Sequence, residues 1–375
     1  MERGMNEVGM PSAAETRSPL VTFALFAYNQ EQFIREAVGA ALAQTYSPLQ
    51  IILSDDRSSD RTFEIMQDMA IEYRGPHEIL LNHNERNLGV GAHVNRLMDL
   101  AKGELIVAAA GDDVSVPGRA AILVEQWLAN SKPSALCSGF VCVDESGAVM
   151  GDGKAWFSLA QFPQDASGLK SSLLLRFIKT HKPALIGCTE AWSRDVFENF
   201  GPLQEDVWLE DYAISLRAWF LKGIHFFPEQ LVSYRQHTHN IWNRAWTVDR
   251  SVSGFRRLEE IAQERARRWV TVLIGYERDI DTALKNRMID LPLANEMKRA
   301  VARQIEMNRM VGNWWSADVP KRVCWYLGCL LRQEHRELMV WGVARLVPYE
   351  VFLSVRSLLS RARGWSRELA KAIQS

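Results

Sequence analysis

The sequence has few cysteines and no uninterrupted apolar segment long enough to cross a membrane. Five cysteines occur among 375 residues, with a spacing that fits no common zinc site. The five are Cys137, Cys142, Cys188, Cys324 and Cys329. A spanning helix needs about 20 apolar residues, and the segment nearest to one, Leu338–Val355, contains Arg345, Pro348 and Glu350. We therefore predict reduced, mostly buried thiols in a cytoplasmic protein without a transmembrane helix.

A strong net charge and the usual phosphate-binding glycine motifs are also missing. The formal net charge is −1, which argues against wholesale binding of nucleic acid. Gly89–Val94 lacks the third glycine of the dinucleotide-binding fingerprint, and the chain contains no Gly-Lys-Ser or Gly-Lys-Thr sequence. Apolar residues make up 47% and charged residues 24%, which is the composition of an ordinary globular protein.

The pattern along the chain divides it into three parts. Residues 1–18 are small and polar and are predicted to be a disordered tail rather than a signal peptide. Residues 19–245 alternate apolar runs with amphipathic stretches, whereas residues 246–375 form long charged helical stretches. The clearest predicted strands are Val21–Phe26, Gln50–Leu53, Glu78–Leu81 and Leu105–Ala110. Continuous apolar strands, each followed by a helix, predict an α/β domain with a mainly parallel sheet covered on both faces, followed by a helical C-terminal region.

Polar residues follow three of the predicted strands. Tyr28 comes after the first, Asp56 after the second, and Asp112 with Asp113 after the fourth. Ligands of such sheets bind outside the carboxyl ends of the strands, so these side chains are expected to face one crevice. Two adjacent carboxylates are costly to bury without a cation, and hard oxygen ligands suit Mg²⁺ or Mn²⁺ with a phosphate completing the shell. The alternative is that these Asp residues only cap the helices that follow.

Five short motifs in this order resemble a known family. They are Val-Thr-Phe-Ala-Leu-Phe-Ala-Tyr-Asn (21–29), Ser-Asp-Asp-Arg-Ser-Ser-Asp (54–60), Asn-Leu-Gly (87–89), Ala-Lys-Gly-Glu-Leu-Ile (101–106) and Gly-Asp-Asp (111–113). The set resembles the family 2 glycosyltransferases, a large inverting group with the GT-A fold. The resemblance covers about residues 20–240.

The resemblance implies a donor site for a nucleoside-diphosphate sugar, with UDP as the expected nucleotide. Tyr28 and Asp56 resemble the pair that binds the nucleobase. Asp112 and Asp113 resemble the family's Asp-X-Asp-type element. Asp112 is then expected near the ribose or phosphates, and Asp113 is expected to ligate a divalent metal, Mn²⁺ or Mg²⁺.

Two positions of the chain depart from the family's pattern. Ala27 replaces a common Pro after the first strand, and Arg57 replaces a common Gly in the second motif. We expect the side chain of Arg57 to point to solvent.

An inverting transfer also needs a base that takes the proton of the acceptor hydroxyl. Glu210 and Asp211 open an apolar-periodic helix at the family's spacing, which makes Asp211 the expected base and Glu210 a residue of the acceptor site. The alternative for Asp211 is an acid favoured only by the helix dipole, and Asp206 is a competing base. Trp192 and Trp208 lie in the region that shapes the acceptor pocket in this family, where they either stack on a sugar or are structural.

The segment after the last predicted strand of the domain adds two residues to the donor site. His237 matches a histidine that completes the metal shell in many GT-A enzymes, and His239 is the weaker choice. Arg235 could pair with diphosphate oxygens. The alternative for a histidine at a strand end is a surface or capping residue.

The C-terminal region is basic and rich in aromatic residues. Residues 321–375 contain ten Lys or Arg against four Glu, interleaved with Trp, Tyr and Phe. Basic amphipathic helices of this kind suit an anionic membrane surface, and a lipid-linked acceptor would give a reason for such contact. The alternative is a helical subdomain that packs on the catalytic domain or on a second subunit in a homo-oligomer.

The function predicted from the sequence is transfer of a sugar to a glycan or lipid-linked acceptor at the inner face of the cell membrane. Two other functions stay open. A nucleotidyltransferase would also use paired Asp residues, but it usually has a Gly-rich basic loop after the first strand, where this chain has Ala27–Gln30. A non-catalytic scaffold has no use for Asp56, Asp113 and Asp211 together.

Overall fold

One mixed sheet organises the molecule. The computed structural model describes residues 18–152, 170–180, 185–238, 240, 251–324 and 349–354. Within these residues the strands are β1 (Val21–Ala27), β2 (Leu49–Asp55), β3 (Glu78–His83), β4 (Leu105–Ala110), β5 (Val114–Ser115), β6 (Ala135–Val143), β7 (Val149–Asp152), β8 (Glu190–Ser193) and β9 (Ile224–Arg235). The strand order is β3-β2-β1-β4-β8-β6-β9-β5, with β7 paired to β6.

The sheet is parallel in its first half and mixed in its second. Strands β3, β2, β1 and β4 are all parallel to one another, whereas β8 runs antiparallel to both β4 and β6. Strand β9 is parallel to β6, and the short β5 pairs with β9 in antiparallel register. The carboxyl ends of β1, β2 and β4 therefore meet at one edge, as the sequence predicts.

Helices cover both faces of this sheet and continue beyond it. They are α1 (Ile34–Leu42), α2 (Thr62–Glu72), α3 (Val90–Leu100), α4 (Arg119–Ala129), α5 (Lys170–Thr180), α6 (Asp195–Phe200), α7 (Glu210–Phe220), α8 (Val252–Lys285) and α9 (Leu291–Gly312). The predicted α/β class is confirmed, with the mainly parallel sheet, flanking helices and helical C-terminal region expected of a GT-A fold.

The strands are continuously apolar because both faces of the sheet are buried. Phe23 and Leu25 belong to the core cluster beneath α1, α2 and α4. Ala24 and Ile106 point to the opposite face, where they pack with α3 and α7.

The C-terminal helices share a core with the α/β domain instead of standing apart from it. Helices α5, α7, α8 and α9 enclose one apolar cluster. Within it the rings of Tyr212 and Trp269 meet edge to face at 4.6 Å, and the hydroxyl of Tyr276 donates to the carbonyl of Tyr212 at 3.3 Å. Helix α8 begins with Ser251 as its N-cap. The predicted boundary at residues 245–246 lies outside the described residues.

Two aromatic residues of the proposed membrane surface are packed against protein. Phe352 is 1% exposed, and the rings of Phe352 and Tyr349 lie 5.2 Å and 4.5 Å from that of Trp315. At these residues the structure shows the subdomain packing that was the alternative to membrane contact. Most of the basic region, residues 325–348 and 355–375, lies outside the described residues, as do residues 1–17. None of the helices in the described ranges is long and apolar enough to span a membrane.

Candidate active site

The ends of β1 and β2 form the first part of the site. The carboxylate of Asp56 is buried and accepts hydrogen bonds from Asn84 Nδ2 at 2.8 Å, Leu88 N at 2.8 Å and Gly89 N at 2.9 Å. These bonds use three of the roughly four acceptor positions of a carboxylate. Asp56 thus fixes the loop after β3, while Tyr28 remains 48% exposed beside it.

The helix-capping alternative holds for part of the second motif. Asp60 Oδ1 accepts from the main-chain N–H of Thr62 at 3.0 Å at the start of α2. Asp55 accepts from Ser58 N at 2.9 Å. Asp56 makes no such contact with α2 in the described structure. Its carboxylate binds the loop after β3 and does not cap the helix.

Asp112 and His237 are brought together by the pairing of β5 with β9. Asp112 Oδ2 lies 2.9 Å from His237 Nε2, and the two side chains are 12% and 6% exposed. A carboxylate and an imidazole in contact at the crevice are suited to a divalent cation such as Mn²⁺.

Asp113 faces the interior and is occupied by protein donors. Its Oδ1 accepts from the main-chain N–H of Arg235 at 2.8 Å, and its carboxyl group also hydrogen bonds to the thiol of Cys188. Burial raises the pKa of Asp113 well above its usual range, and the neighbouring Asp112 raises it further. The structure therefore pairs His237 with Asp112, whereas the sequence analysis made Asp113 its companion ligand.

Arg235 links the end of β9 to the segments that follow β4 and β6 and to helix α1. Its side chain is 2% exposed and lies over the ring of Phe33 at 4.9 Å. Nε donates to the carbonyl of Asp112 at 3.1 Å, Nη1 to the carbonyl of Glu145 at 2.8 Å, and Nη2 to Glu36 Oε2 at 2.6 Å. These contacts engage all three nitrogens, so its guanidinium does not present a free fork to a diphosphate in this conformation.

Glu210 and Asp211 open α7 as the sequence predicts. Asp211 is buried, and its carboxylate accepts from the main-chain N–H groups of Tyr212, at 2.9 Å, and Gly187. Burial raises the pKa of Asp211 well above its usual range, and Glu210 raises it further. The rival base Asp206 is exposed, whereas Asp211 is buried at the start of α7.

The two predicted tryptophans are placed differently. Trp192 has no exposed surface, and its indole N–H donates to Met98 Sδ at 3.4 Å inside the core. Its strand lies in the middle of the sheet, so the expectation that Trp192 contacts the acceptor is replaced by a structural role. Trp208 is half-buried just before α7, with the guanidinium of Arg268 5.9 Å from its ring centre.

The segment that joins the two acidic pairs is not among the motifs recognised in the sequence. Cys188 contacts Asp113, and the N–H of Gly187 contacts Asp211. Glu190 follows in β8 and, like Arg119 of α4, has no exposed surface. The available signal was a glutamate directly before the apolar residues Ala191 and Trp192.

A cation at this site would need ligands from the substrate. In the described part of the chain, no group of three or more His, Cys, Asp or Glu side chains is arranged to hold a metal ion. Mg²⁺ is often held by one or two carboxylates together with substrate phosphates, which is a part that Asp112 can play. The imidazole of His237 would suit a transition-metal ion better.

Part of this chain is similar to one protein family. The pattern of glycosyl transferase family 2 matches residues 22–201. An uncharacterized protein of Mycobacterium tuberculosis is 28% identical over 222 residues, which are 59% of this chain and 60% of that protein. An uncharacterized glycosyltransferase of Rickettsia typhi is 26% identical over 233 residues, 61% of this chain and 68% of its own length.

A solved structure, that of S. aureus TarS 1-349 in complex with UDP-GlcNAc, aligns with a TM-score of 0.48 at 14% identity, covering 91% of this chain and 92% of that one. The chain spans about 60% of the length of the mycobacterial relative. Residues 22–201, just under half of the chain, match glycosyl transferase family 2, and a relative described as a glycosyltransferase supports that assignment.

Proposed function

We propose that the protein is a metal-dependent, inverting glycosyltransferase. It moves a sugar from a nucleoside-diphosphate donor, with UDP as the expected nucleotide, to a hydroxyl group of a glycan or lipid-linked acceptor. The proposed setting is the assembly of bacterial surface polysaccharide at the cytoplasmic face of a membrane. The family match supports transfer of a sugar, while the donor, the metal and the inverting stereochemistry are inferred from the resemblance of the sequence motifs.

One observation carries the proposal: a single segment, residues 187–190, contacts both acidic pairs. Cys188 bonds to Asp113 on the side of the cation pair, and the Gly187 N–H bonds to Asp211 at the start of α7. The acids proposed to bind the metal and diphosphate and the acid proposed as the base therefore flank the same short turn. That arrangement fits transfer between a donor and an acceptor bound side by side.

Asp211 performs the proton transfer in this proposal. The oxygen of the acceptor hydroxyl attacks the anomeric carbon, the bond from that carbon to the diphosphate breaks, and the hydroxyl proton passes to the carboxylate of Asp211. The raised pKa of Asp211 makes it a stronger base than an exposed aspartate. Glu210 and the half-buried Trp208 beside it are proposed to contact the acceptor.

The donor side consists of residues that bind and orient. Tyr28 offers an exposed ring for the nucleobase, and Asp56 offers its remaining acceptor position to a base N–H. Asp112 and His237 would hold a divalent metal, and a bound Mn²⁺ or Mg²⁺ would offset the negative charge of the departing diphosphate. Arg235 keeps the cation pair in place through the Asp112 carbonyl.

Calorimetric titration with UDP, GDP and dTDP, with and without Mn²⁺, tests the donor half of the proposal. We expect Mn²⁺-dependent binding of one nucleotide. Absence of binding for every nucleotide and metal condition would overturn the proposal and favour a scaffold.

Asp211→Asn tests the catalytic half. We expect nucleotide binding to be kept and sugar transfer to fall by about 10²–10⁴-fold, the usual contribution of a general base. Asp206→Asn is the matched control, because Asp206 is an exposed acid of the same segment. Equal loss in both variants would remove Asp211 from the role of base.

A further inference from the structure

Glu190 is a buried acid without a partner beside the proposed base. It is the first residue of β8, its side chain has no exposed surface, and neither carboxyl oxygen has a hydrogen-bond partner within the described residues. An ionised carboxylate in such a place is strongly disfavoured, because nothing replaces the water that it loses. A neutral carboxylic acid is disfavoured far less.

The groups that face Glu190 come from three elements. Glu210 and Asp211 at the start of α7 place negative charge near it, and Arg119 of α4 places positive charge near it. Cys137 of β6 is a further titratable neighbour. The buried Glu190 and Asp211 and the half-buried Glu210 thus lie near one cation, so the three carboxyl groups cannot all ionise together at low cost.

The hydrogen bonds decide which acid keeps a proton. Asp211 accepts from the N–H groups of Tyr212 and Gly187, which stabilise its ionised form. Glu190 has no such donors. The guanidinium of Arg119 donates to the main-chain carbonyl of Glu190, at 3.4 Å, and its Nε has no partner in the described structure.

We propose that Glu190 is a positioning residue that keeps its proton in the working enzyme and thereby leaves Asp211 free to ionise. This inference rests on the proposed function only in naming Asp211 as the base. Burial raises the pKa of Glu190 well above its usual range, and Glu210 and Asp211 raise it further, in agreement with the geometry.

The pH dependence of unfolding tests the proton on Glu190 without any assay of activity. Above the pKa of an unfolded Glu, about 4.3, the folded protein then holds one proton more than the unfolded chain. The unfolding constant of the wild type should rise relative to that of Glu190→Gln by about tenfold per pH unit until folded Glu190 ionises. Glu190→Met gives a second comparison should the Gln variant fail to fold.

Glu229→Gln is the matched control for this measurement. Glu229 is exposed on β9, so the ratio of the wild-type unfolding constant to that of Glu229→Gln should not change with pH. The test range of about pH 5 to pH 8 lies above the ordinary pKa of Glu. If the ratio of the wild-type unfolding constant to that of Glu190→Gln is also constant over this range, Glu190 is ionised and the proposal is wrong.

The acid limb of the rate profile tests the effect on Asp211. Because a neutral Gln mimics a neutral acid, Glu190→Gln should keep the acid limb of kcat within about 0.3 pH unit of the wild type. Removing an ionised neighbour would instead lower the pKa of Asp211 and move the limb down by about one unit or more. That shift would overturn the proposal. Activity retained in Asp211→Asn would instead show that Asp211 is not the base, and it would leave the unfolding test of Glu190 unaffected.

Discussion

Arg217 and Asp279 form a bidentate ion pair that is closed to water between α7 and α8. Nε lies 2.7 Å from Oδ2 and Nη2 lies 3.1 Å from Oδ1, and the two side chains are 1% and 2% exposed. Arg217 also donates to the carbonyls of Gly201 and Pro202. Because Asp211 opens α7, this pair fixes the helix of the proposed base to the C-terminal helices.

We expect Asp279→Asn to lower the free energy of unfolding by roughly 3–5 kcal/mol. The variant leaves the guanidinium of Arg217 buried without its counter-charge, which is the costly way to break a buried pair. Chemical denaturation of both proteins measures the difference. Asp281→Asn is the matched control, since Asp281 is 60% exposed on the same helix and pairs with Lys298, and it should cost less than about 1 kcal/mol. Equal losses would show that the Asp279 pair adds little.

The sequence predicts the elements whose signal is local. The predicted strand Leu105–Ala110 has the bounds of β4, because it is an apolar run bounded by polar or turn-forming residues. Strand β8 is only four residues long, and its periodicity is too short to recognise. The residues at the strand ends could be predicted for the same local reason.

The contacts that define the site are not local, and the sequence does not predict them. His237 meets Asp112 across 125 positions because β9 returns beside β5. Nothing in the local pattern of Asp112 and Asp113 shows which side chain turns toward the crevice. The fixed contacts of Arg235 and the burial of Trp192 depend on the same long-range packing.

Arg57 has a backbone conformation that explains why glycine is common at its position in the family. Its φ angle is 63°, in the left-handed region where a side chain is strained. The Nη1 of this exposed side chain lies 3.4 Å from His83 Nε2. We expect Arg57→Gly to be neutral or to stabilise the fold by up to about 1 kcal/mol, and Arg57→Val to destabilise it by about 1–2 kcal/mol.

Thermal unfolding of the two variants checks this prediction, with Arg86→Gly as control. Arg86 is exposed and is not among the described residues with positive φ. Glycine there should cost about 0.5–1 kcal/mol through the entropy of the unfolded chain. If Arg57→Gly and Arg86→Gly lose the same stability, the backbone at Arg57 is not strained.

His93 should make stability depend on pH on the acid side. Burial lowers the pKa of His93, whose Nε2 lies 2.6 Å from Ser54 Oγ near Asp55 and Asp56. The unfolded chain then binds a proton below about pH 6.5 that the folded protein does not, so stability falls as the pH decreases through that value.

We expect the loss due to His93 to approach about 1.4 kcal/mol per pH unit, and to be absent in His93→Gln. Denaturation of both proteins between about pH 5 and pH 7.5, around the ordinary pKa of His, measures the difference between their free energies of unfolding. The buried acids contribute equally to both proteins, so their contributions cancel in this difference. The same slope in both proteins would mean that His93 is protonated in the folded state.

The pairing of Asp112 with His237 leads to a prediction that separates two adjacent acids. Asp112→Asn and His237→Gln should each weaken the Mn²⁺ dependence of nucleotide binding by about 10–100-fold, because each removes a ligand of the proposed cation. Asp113→Asn should keep that dependence, because Asp113 is turned toward Arg235 and Cys188. Asp113→Asn should instead lower the free energy of unfolding by about 1–3 kcal/mol, because it disturbs a buried hydrogen bond.

Titration of nucleotide at several Mn²⁺ concentrations distinguishes the two acids, with unfolding measured on the same samples. Loss of the Mn²⁺ dependence in Asp113→Asn, with Asp112→Asn unaffected, would restore the ligand assignment made from the sequence. That result would require Asp113 to leave the main-chain N–H of Arg235, 2.8 Å away, when the cation binds. The outcome thus decides whether the site is preformed around Asp112 and His237 or is rearranged by its ligand.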